Sequence, residues 1–306
     1  PNLLMGHSIG ELAAACVAGV FNLEDGLKLV VARGRLMGAL PQDGEMVSLL
    51  TSEKRVRQAI VPYANQVSIG AVNGPENIVI AGRREAVLTI ADQFNAEGVK
   101  TRQLTVSHAF HSPLMEPMLD DFRKVAQSVT YHKPKLRLVS NVTGKLAGDE
   151  IMTPDYWVRH VRETVRFADG IQTLHEQGAN LFLEIGPKPV LLGMVEQTDD
   201  KMTNSTTGHP IMLPSLRDSQ RDWQQMLTSL GTLYVHGVAI DWIGFEEGCQ
   251  RCKVTLPTYP FQRRRYWVSP SAQPQTQLEQ MANPQPATPL LAYLQAGNVQ
   301  ALAALL

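Results

Sequence analysis

Only three of the 306 residues are cysteine, Cys16, Cys249 and Cys252. So odd and sparse a set gives no disulfide framework and points to a reducing compartment, here the cytoplasm. Cys249-Gln-Arg-Cys252 has the spacing of a redox pair or half a zinc site. No second pair accompanies it and it lies far from any βαβ start, so it reads as chance. An excess of one charge is also lacking: 28 Lys+Arg stand against 29 Asp+Glu, for a net charge of −1. Without a basic surplus, nucleic acid and anionic membrane surfaces are excluded as main partners. No apolar run approaches the roughly 20 residues that span a bilayer. The start has neither the basic head nor the small-residue cleavage site of a secretory signal. Aromatic residues are few, at 6%, but 44% hydrophobic and 19% charged residues suit a folded chain and exclude a wholly disordered one. The length suggests about two domains and a core that needs neither metal nor disulfide. The chain opens at Pro1, without Met, in an apolar run, and reads as an excerpt of something longer.

What is present begins with strand, sharp turn and helix. Leu3-Leu4-Met5 runs into Gly6-His7-Ser8-Ile9-Gly10. Beyond it Ile9, Leu12, Ala13, Cys16, Val17 and Val20 recur at helical spacing on one face. A second helix is predicted near 23–40, with Leu27, Val30, Val31 and Gly34 on its stripe. Residues 45–107 then read β-α-β-β-α-β, the ferredoxin-like order. This segment looks like a compact subdomain inserted into a larger α/β one. Met115, Met118, Leu119, Phe122 and Ala126 mark a further helix, and 136–139 and 181–185 are strand candidates. An amphipathic helix over 223–235 and a basic, aromatic segment over 256–267 follow. Residues 269–289, rich in Gln, Pro, Ser and Ala, read as a flexible linker, and 290–306 regain helical periodicity.

Gly6-His7-Ser8-Ile9-Gly10 is a G-x-S-x-G pentapeptide between strand and helix. A serine on such a turn exposes its hydroxyl at the sheet edge, and the flanking glycines let neighbouring backbone approach. The helix start offers free N–H groups and a positive dipole end to a developing oxyanion. The plainer alternative makes Ser8 a helix N-cap. A nucleophilic serine needs a base, and His108 and His111 stand out in Ser107-His108-Ala109-Phe110-His111-Ser112-Pro113, where the insert rejoins the larger domain. Their spacing would also suit a metal, but no Asp, Glu or Cys cluster accompanies it, so no metal site is expected.

Gly6-His7-Ser8-Ile9-Gly10-Glu11, Arg33-Gly34 and His108-Ala109-Phe110-His111-Ser112 together resemble the acyltransferase domain of modular type I polyketide synthases. The malonyl-CoA:acyl carrier protein transacylases of fatty-acid synthesis share this core. Further matches are Ala71-Val72-Asn73-Gly74-Pro75, Ser140-Asn141-Val142-Thr143-Gly144, Tyr156-Trp157-Val158-Arg159-His160 and Glu184-Ile185-Gly186-Pro187. Leu256 to Trp267 resembles the linker that follows this domain and folds back toward the ketosynthase. The resemblance covers about residues 1–268. It implies an α/β fold: a three-layer, hydrolase-like larger subdomain (1–43 and 108–200) with an inserted ferredoxin-like small subdomain (44–107). The post-acyltransferase linker is expected at 201–268. The family's amino-terminal stretch, with a Gly-Gln-Gly-x-Gln loop thought to complete the oxyanion hole, is missing from this chain, so activity is expected of a longer parent.

The resemblance further implies a two-step transfer with no bound cofactor. Ser8 attacks the thioester of an acyl-CoA while His111 takes its proton; the phosphopantetheine thiol of an acyl carrier protein then accepts the acyl group. Ile9 N–H would be an oxyanion donor, and Arg33 would clamp the substrate's free carboxylate. Phe110, His7 and His108 are expected at the substrate. Asn141 is expected to orient the site, as is His160, at the position where the family uses a backbone carbonyl to orient the catalytic histidine. Ile9 and His-Ala-Phe-His are typical of malonyl selection, since Phe110 would crowd an α-methyl branch. Malonyl-CoA, a carrier protein and a neighbouring ketosynthase are the implied partners. A serine hydrolase such as a thioesterase would use Ser8 and His111 without needing Arg33, and a non-catalytic docking module would need none of them.

Overall fold

A computed structural model describes residues 1–202, 210–248 and 254–264. It divides into two compact units, Pro1–Asp241 and Trp242–Leu306. The first unit opens with β1 (Leu3–Met5), α1 (Ile9–Ala18) and α2 (Leu23–Gly38). The inserted segment comprises β2 (Gly44–Leu49), α3 (Glu53–Ile60), β3 (Val67–Gly74), β4 (Asn77–Arg83), α4 (Arg84–Ala96) and β5 (Thr101–Gln103). The chain continues through α5 (Leu119–Gln127), β6 (Arg137–Val139), α6 (Pro154–Arg162), α7 (Phe167–Glu176), β7 (Leu181–Glu184), α8 (Val190–Met202), β8 (Ile211–Pro214) and α9 (Asp222–Val235). The second unit contributes α10 (Trp242–Glu246), and residues 254–264 carry no regular structure. Cys249, Cys252, the end of the aromatic segment and all of 269–306 lie outside the described residues.

The layering follows from strand alternation. β1 and β6 pair in parallel, Met5 opposite Val139. Leu4 and Leu138 face one core with α1, α2, α5 and α6. Leu3, Met5 and Val139 face another with Ile171 and Leu174 of α7. Successive side chains point to opposite faces, so helices cover both sides of this sheet and the larger subdomain has three layers. The insert forms an antiparallel sheet in the order β3-β4-β2-β5, the ferredoxin-like arrangement expected. Its Val47, Leu49, Ile78 and Ile80 pack under Val56 of α3 and Val87, Ile90 and Phe94 of α4. Its opposite face, with Met46, Ala71, Val79 and Ala81, joins the core of α7. Both faces of β3 and β4 are thus covered, and nearly all their residues are buried.

Two helix stripes differ from expectation. On α1 the buried residues are Glu11, Leu12, Ala14, Ala15 and Ala18, whereas Val17 is 65% exposed. On α2 they include Asp25, Gly26, Leu29, Arg33 and Met37, whereas Leu27 and Val31 are exposed. Polar residues turn inward because each finds partners: the Asp25 carboxylate, for instance, accepts from Thr130 N–H and Lys28. The helix predicted from Met115 is broken in two. A 3-10 stretch, Pro113–Met118, precedes α5, because Pro117 supplies no N–H for an α-helical bond.

Candidate active site

Parallel pairing of β1 with β6 brings the turn after Met5 beside the loop after Val139. In that turn Ser8 adopts φ 51°, ψ −117°, a conformation costly for a residue with a Cβ. Three contacts hold it there. Ser8 N–H donates to Asn141 Oδ1 at 2.7 Å, Asn141 Nδ2 donates to Gly6 O at 2.6 Å, and Glu11 N–H donates to Ser8 O at 2.9 Å. The turn is so tight that a Cβ on Gly6 would lie 2.1 Å from the Gly10 carbonyl carbon. Gly10, by contrast, has nothing within 4 Å of the position a Cβ would take, so only one of the two flanking glycines is required by space.

Strain at Ser8 aims its hydroxyl at His111, whose Nε2 lies 2.7 Å from Oγ. His111 Nδ1 is 2.8 Å from the carbonyl of Glu163, the residue that ends α6. A carbonyl only accepts, so Nδ1 carries the proton and the Nε2 lone pair faces the serine hydroxyl. His111 is itself at φ 58°, held by Ser68 Oγ–H donating to its carbonyl at 2.7 Å. Arg33, buried on α2, places Nη2 3.0 Å from Ser8 Oγ. One hydroxyl, one imidazole and one guanidinium therefore meet at a single point.

The family model described as "Acyl transferase domain" matches residues 1–240. The chain belongs to this family. Polyketide synthase GfsA of Streptomyces halstedii is 44% identical over 275 residues, covering 90% of this chain and 4% of that protein. The acyltransferase domain from the second module of the salinomycin polyketide synthase superposes with a TM-score of 0.78 at 46% identity, over 85% of this chain and 60% of that one. The malonyl CoA-acyl carrier protein transacylase of Clostridium perfringens gives 0.68 at 26% identity, over 77% and 73%. The chain is an acyltransferase domain of the type I polyketide synthase kind, spanning a small fraction of the curated relatives it matches.

Electrostatics at this cluster favour a neutral His111 imidazole. Burial, then the charge of Arg33 and the neighbouring His160, hold the His111 pKa well below the ordinary histidine value. Burial lowers Arg33 to about 10, partly offset by Glu11, so the guanidinium is charged at neutral pH. His7 is lowered chiefly by burial, against the bond from its Nε2 to Asn73 Oδ1 at 2.8 Å. The Ile9 amide, first of α1, has no protein acceptor among the described residues.

Other expected residues take different places. His108 is turned away from Ser8: Nε2 pairs with Leu40 O and Nδ1 with Ser107 Oγ, both at 3.0 Å. No hydrogen bond or ring contact joins it to Ser8, His111 or Arg33, because the local chain already uses both nitrogens. The orienting carbonyl expected at His160 belongs instead to Glu163, since α6 ends there and its extended backbone turns the carbonyl to the base. His160 contributes its imidazole, with Nδ1 3.5 Å from Arg33 Nη1. Phe110 is partly buried against both large-subdomain cores. Sequence reasoning missed Glu163, Ser68, Asn73 and Tyr156 as contributors. Glu11 was visible in the motif, and a charged residue on an otherwise apolar helix face was the available signal. A groove of about 570 Å³ on α2 and α5, lined by Leu27, Val31 and Val125 among others, contains none of the site residues.

Proposed function

We propose that this domain transfers a malonyl unit from malonyl-CoA to the phosphopantetheine thiol of an acyl carrier protein. The observation that carries the reading is the buried, charged Arg33 within 3.0 Å of the Ser8 hydroxyl. A hydrolase of simple acyl groups has no use for a guanidinium there, whereas a substrate ending in a carboxylate can be gripped by it. Ser8 Oγ attacks the thioester carbonyl as its proton passes to His111 Nε2. The oxyanion meets Ile9 N–H at the start of α1. The C–S bond then breaks and the coenzyme A sulfur takes the proton from His111, leaving a malonyl ester on Ser8. In the second half the pantetheine thiol gives its proton to His111 and attacks the ester, the C–O bond breaks, and Ser8 recovers its proton. The reaction draws on no bound cofactor. Phe110, beside the base in sequence and anchored in two cores, would disfavour an α-methyl branch by about 1–3 kcal/mol.

Incubation of the full-length protein with malonyl-CoA should add one malonyl group to Ser8, visible by mass spectrometry and absent in Ser8→Ala, and the label should move to added carrier protein. Free malonate released without carrier loading would instead mark a thioesterase. No adduct on the folded protein would leave a docking role.

A further inference from the structure

Glu11 is the most deeply buried carboxylate near the site, with no exposed surface. It sits one turn into α1 from the nucleophile and does not touch Ser8 through its side chain. Its Oε2 accepts from Asn141 N–H at 2.8 Å and its Oε1 accepts from the Tyr156 hydroxyl, which also reaches Ser140 Oγ at 2.7 Å. Oε2 further lies 3.3 Å from His160 Nε2, and that imidazole is 98% buried against the rings of Tyr156 and Trp157. The other ring nitrogen of His160 faces Arg33 Nη1 at 3.5 Å. The chemistry of the three groups fits one alternation. Arg33 can only donate, so His160 Nδ1 must accept. The ring proton is then on Nε2, 3.3 Å from a Glu11 oxygen that only accepts: within reach of its charge, but out of line for a hydrogen bond.

We infer that Glu11 is a positioning residue for Arg33: its buried charge, acting through His160, pins one arm of the guanidinium and leaves the other for a substrate carboxylate. A buried guanidinium without a counter-charge would swing toward water or toward any available acceptor, here the Ser8 hydroxyl. With Nη1 held by His160, only Nη2 is in contact with Ser8 Oγ, and Nη2 is the arm that meets an incoming carboxylate. Glu11 thereby favours diacid thioesters over simple acyl thioesters without touching either. The inference rests on the carboxylate-clamp reading of Arg33 given above.

The test compares malonyl-CoA with acetyl-CoA as donors to carrier protein, using the full-length protein. Glu11→Gln keeps the shape and removes the charge. It should lower the ratio of malonyl to acetyl kcat/KM by about tenfold, mainly through a raised malonyl KM. His160→Ala removes the bridge and should lower the same ratio, which keeps the question open to measurement if Glu11→Gln does not fold. In an Arg33→Ala background either change should leave the ratio where Arg33→Ala alone puts it. A packing role for Glu11 would depress both donors in proportion and leave the ratio unmoved, which would overturn the inference. If Arg33→Ala itself lowers both donors equally, the clamp reading fails and takes this inference with it. If Arg33→Ala is selective while Glu11→Gln and His160→Ala are not, the inference alone fails.

Discussion

The two glycines of the nucleophile turn should respond oppositely to a methyl group. A Cβ on Gly6 would stand 2.1 Å from Gly10 C, 2.2 Å from Glu11 N and 2.3 Å from Gly10 O. Carbon atoms prefer about 3.5–4.0 Å, so β1 and the first turn of α1 must part by more than an ångström. The obstacles are backbone atoms, and no rotamer change relieves them. That movement breaks the 3.0 Å bond from Gly10 N–H to His7 O and the 2.6 Å bond from Asn141 to Gly6 O. At about 1 kcal/mol for each bond, with 1–3 kcal/mol for overpacking, Gly6→Ala should cost roughly 3–5 kcal/mol. For a domain of this size that is a melting shift of about 6–20 °C. Gly10 lies in the first turn of α1 with open space at its Cβ, so Gly10→Ala should be neutral or stabilising by up to about 1 kcal/mol. Thermal melts and single-turnover acylation of Ser8 would read both. A Gly6→Ala protein that melts within about 2 °C of the parent and acylates normally would refute this account of the turn. So would a Gly10→Ala protein as damaged as Gly6→Ala.

Asn141→Ala leaves Ser8 N–H and Gly6 O without partners in a buried site; a loss of about 2–4 kcal/mol in urea unfolding and slower acylation are expected. Arg33→Ala should reduce malonyl transfer by roughly 10- to 100-fold, from the 1.5–3 kcal/mol of a charged hydrogen-bonded contact, and acetyl transfer far less, measured as kcat/KM for each donor. Because burial first and Arg33 next hold His111 below the ordinary histidine range, acylation should persist as pH falls through 6.5 and decline only at the lowered pKa. Arg33→Ala should move that acid limb to higher pH with acetyl-CoA as donor. Stability follows the same sign: the His111 contribution is full above the unfolded value near 6.5 and is lost below it, as protons bind the unfolded chain more readily. An acid limb in Arg33→Ala at or below that of the parent would contradict the electrostatic assignment.

The elements were largely legible, because β3 and β4 read as short, mostly apolar runs and the flanking helices carry period-3.6 patterns between glycine- and proline-marked turns. Ser8, His111 and Arg33 were legible as a set only through resemblance, since positions separated by 103 and 25 residues share no local signal. What escaped was the direction of helix faces. Apolar spacing put Leu27 and Val31 inward, but satisfied polar residues such as Asp25 and Arg33 occupy that face. The role of Glu163 escaped because a backbone carbonyl leaves no mark on residue type. Without the resemblance His108 and His111 could not be ranked, because what distinguishes them is a backbone φ of 58° and the neighbour each ring meets.

A strip of four residues after α6 ties the two subdomains together at the base. Glu163 O meets His111, Thr164 Oγ1–H donates to Ile69 O, Val165 exchanges backbone bonds with Gly70 and Val72 of β3, and Arg166 N–H donates to Asn141 O. The inserted sheet is therefore mechanically in series with the imidazole: a slip of β3 by one register would drag the His111 ring away from the Ser8 hydroxyl. For anyone recombining such domains, a graft of the insert alone cuts this seam, whereas a graft that moves 67–72 together with 163–166 transplants the alignment intact.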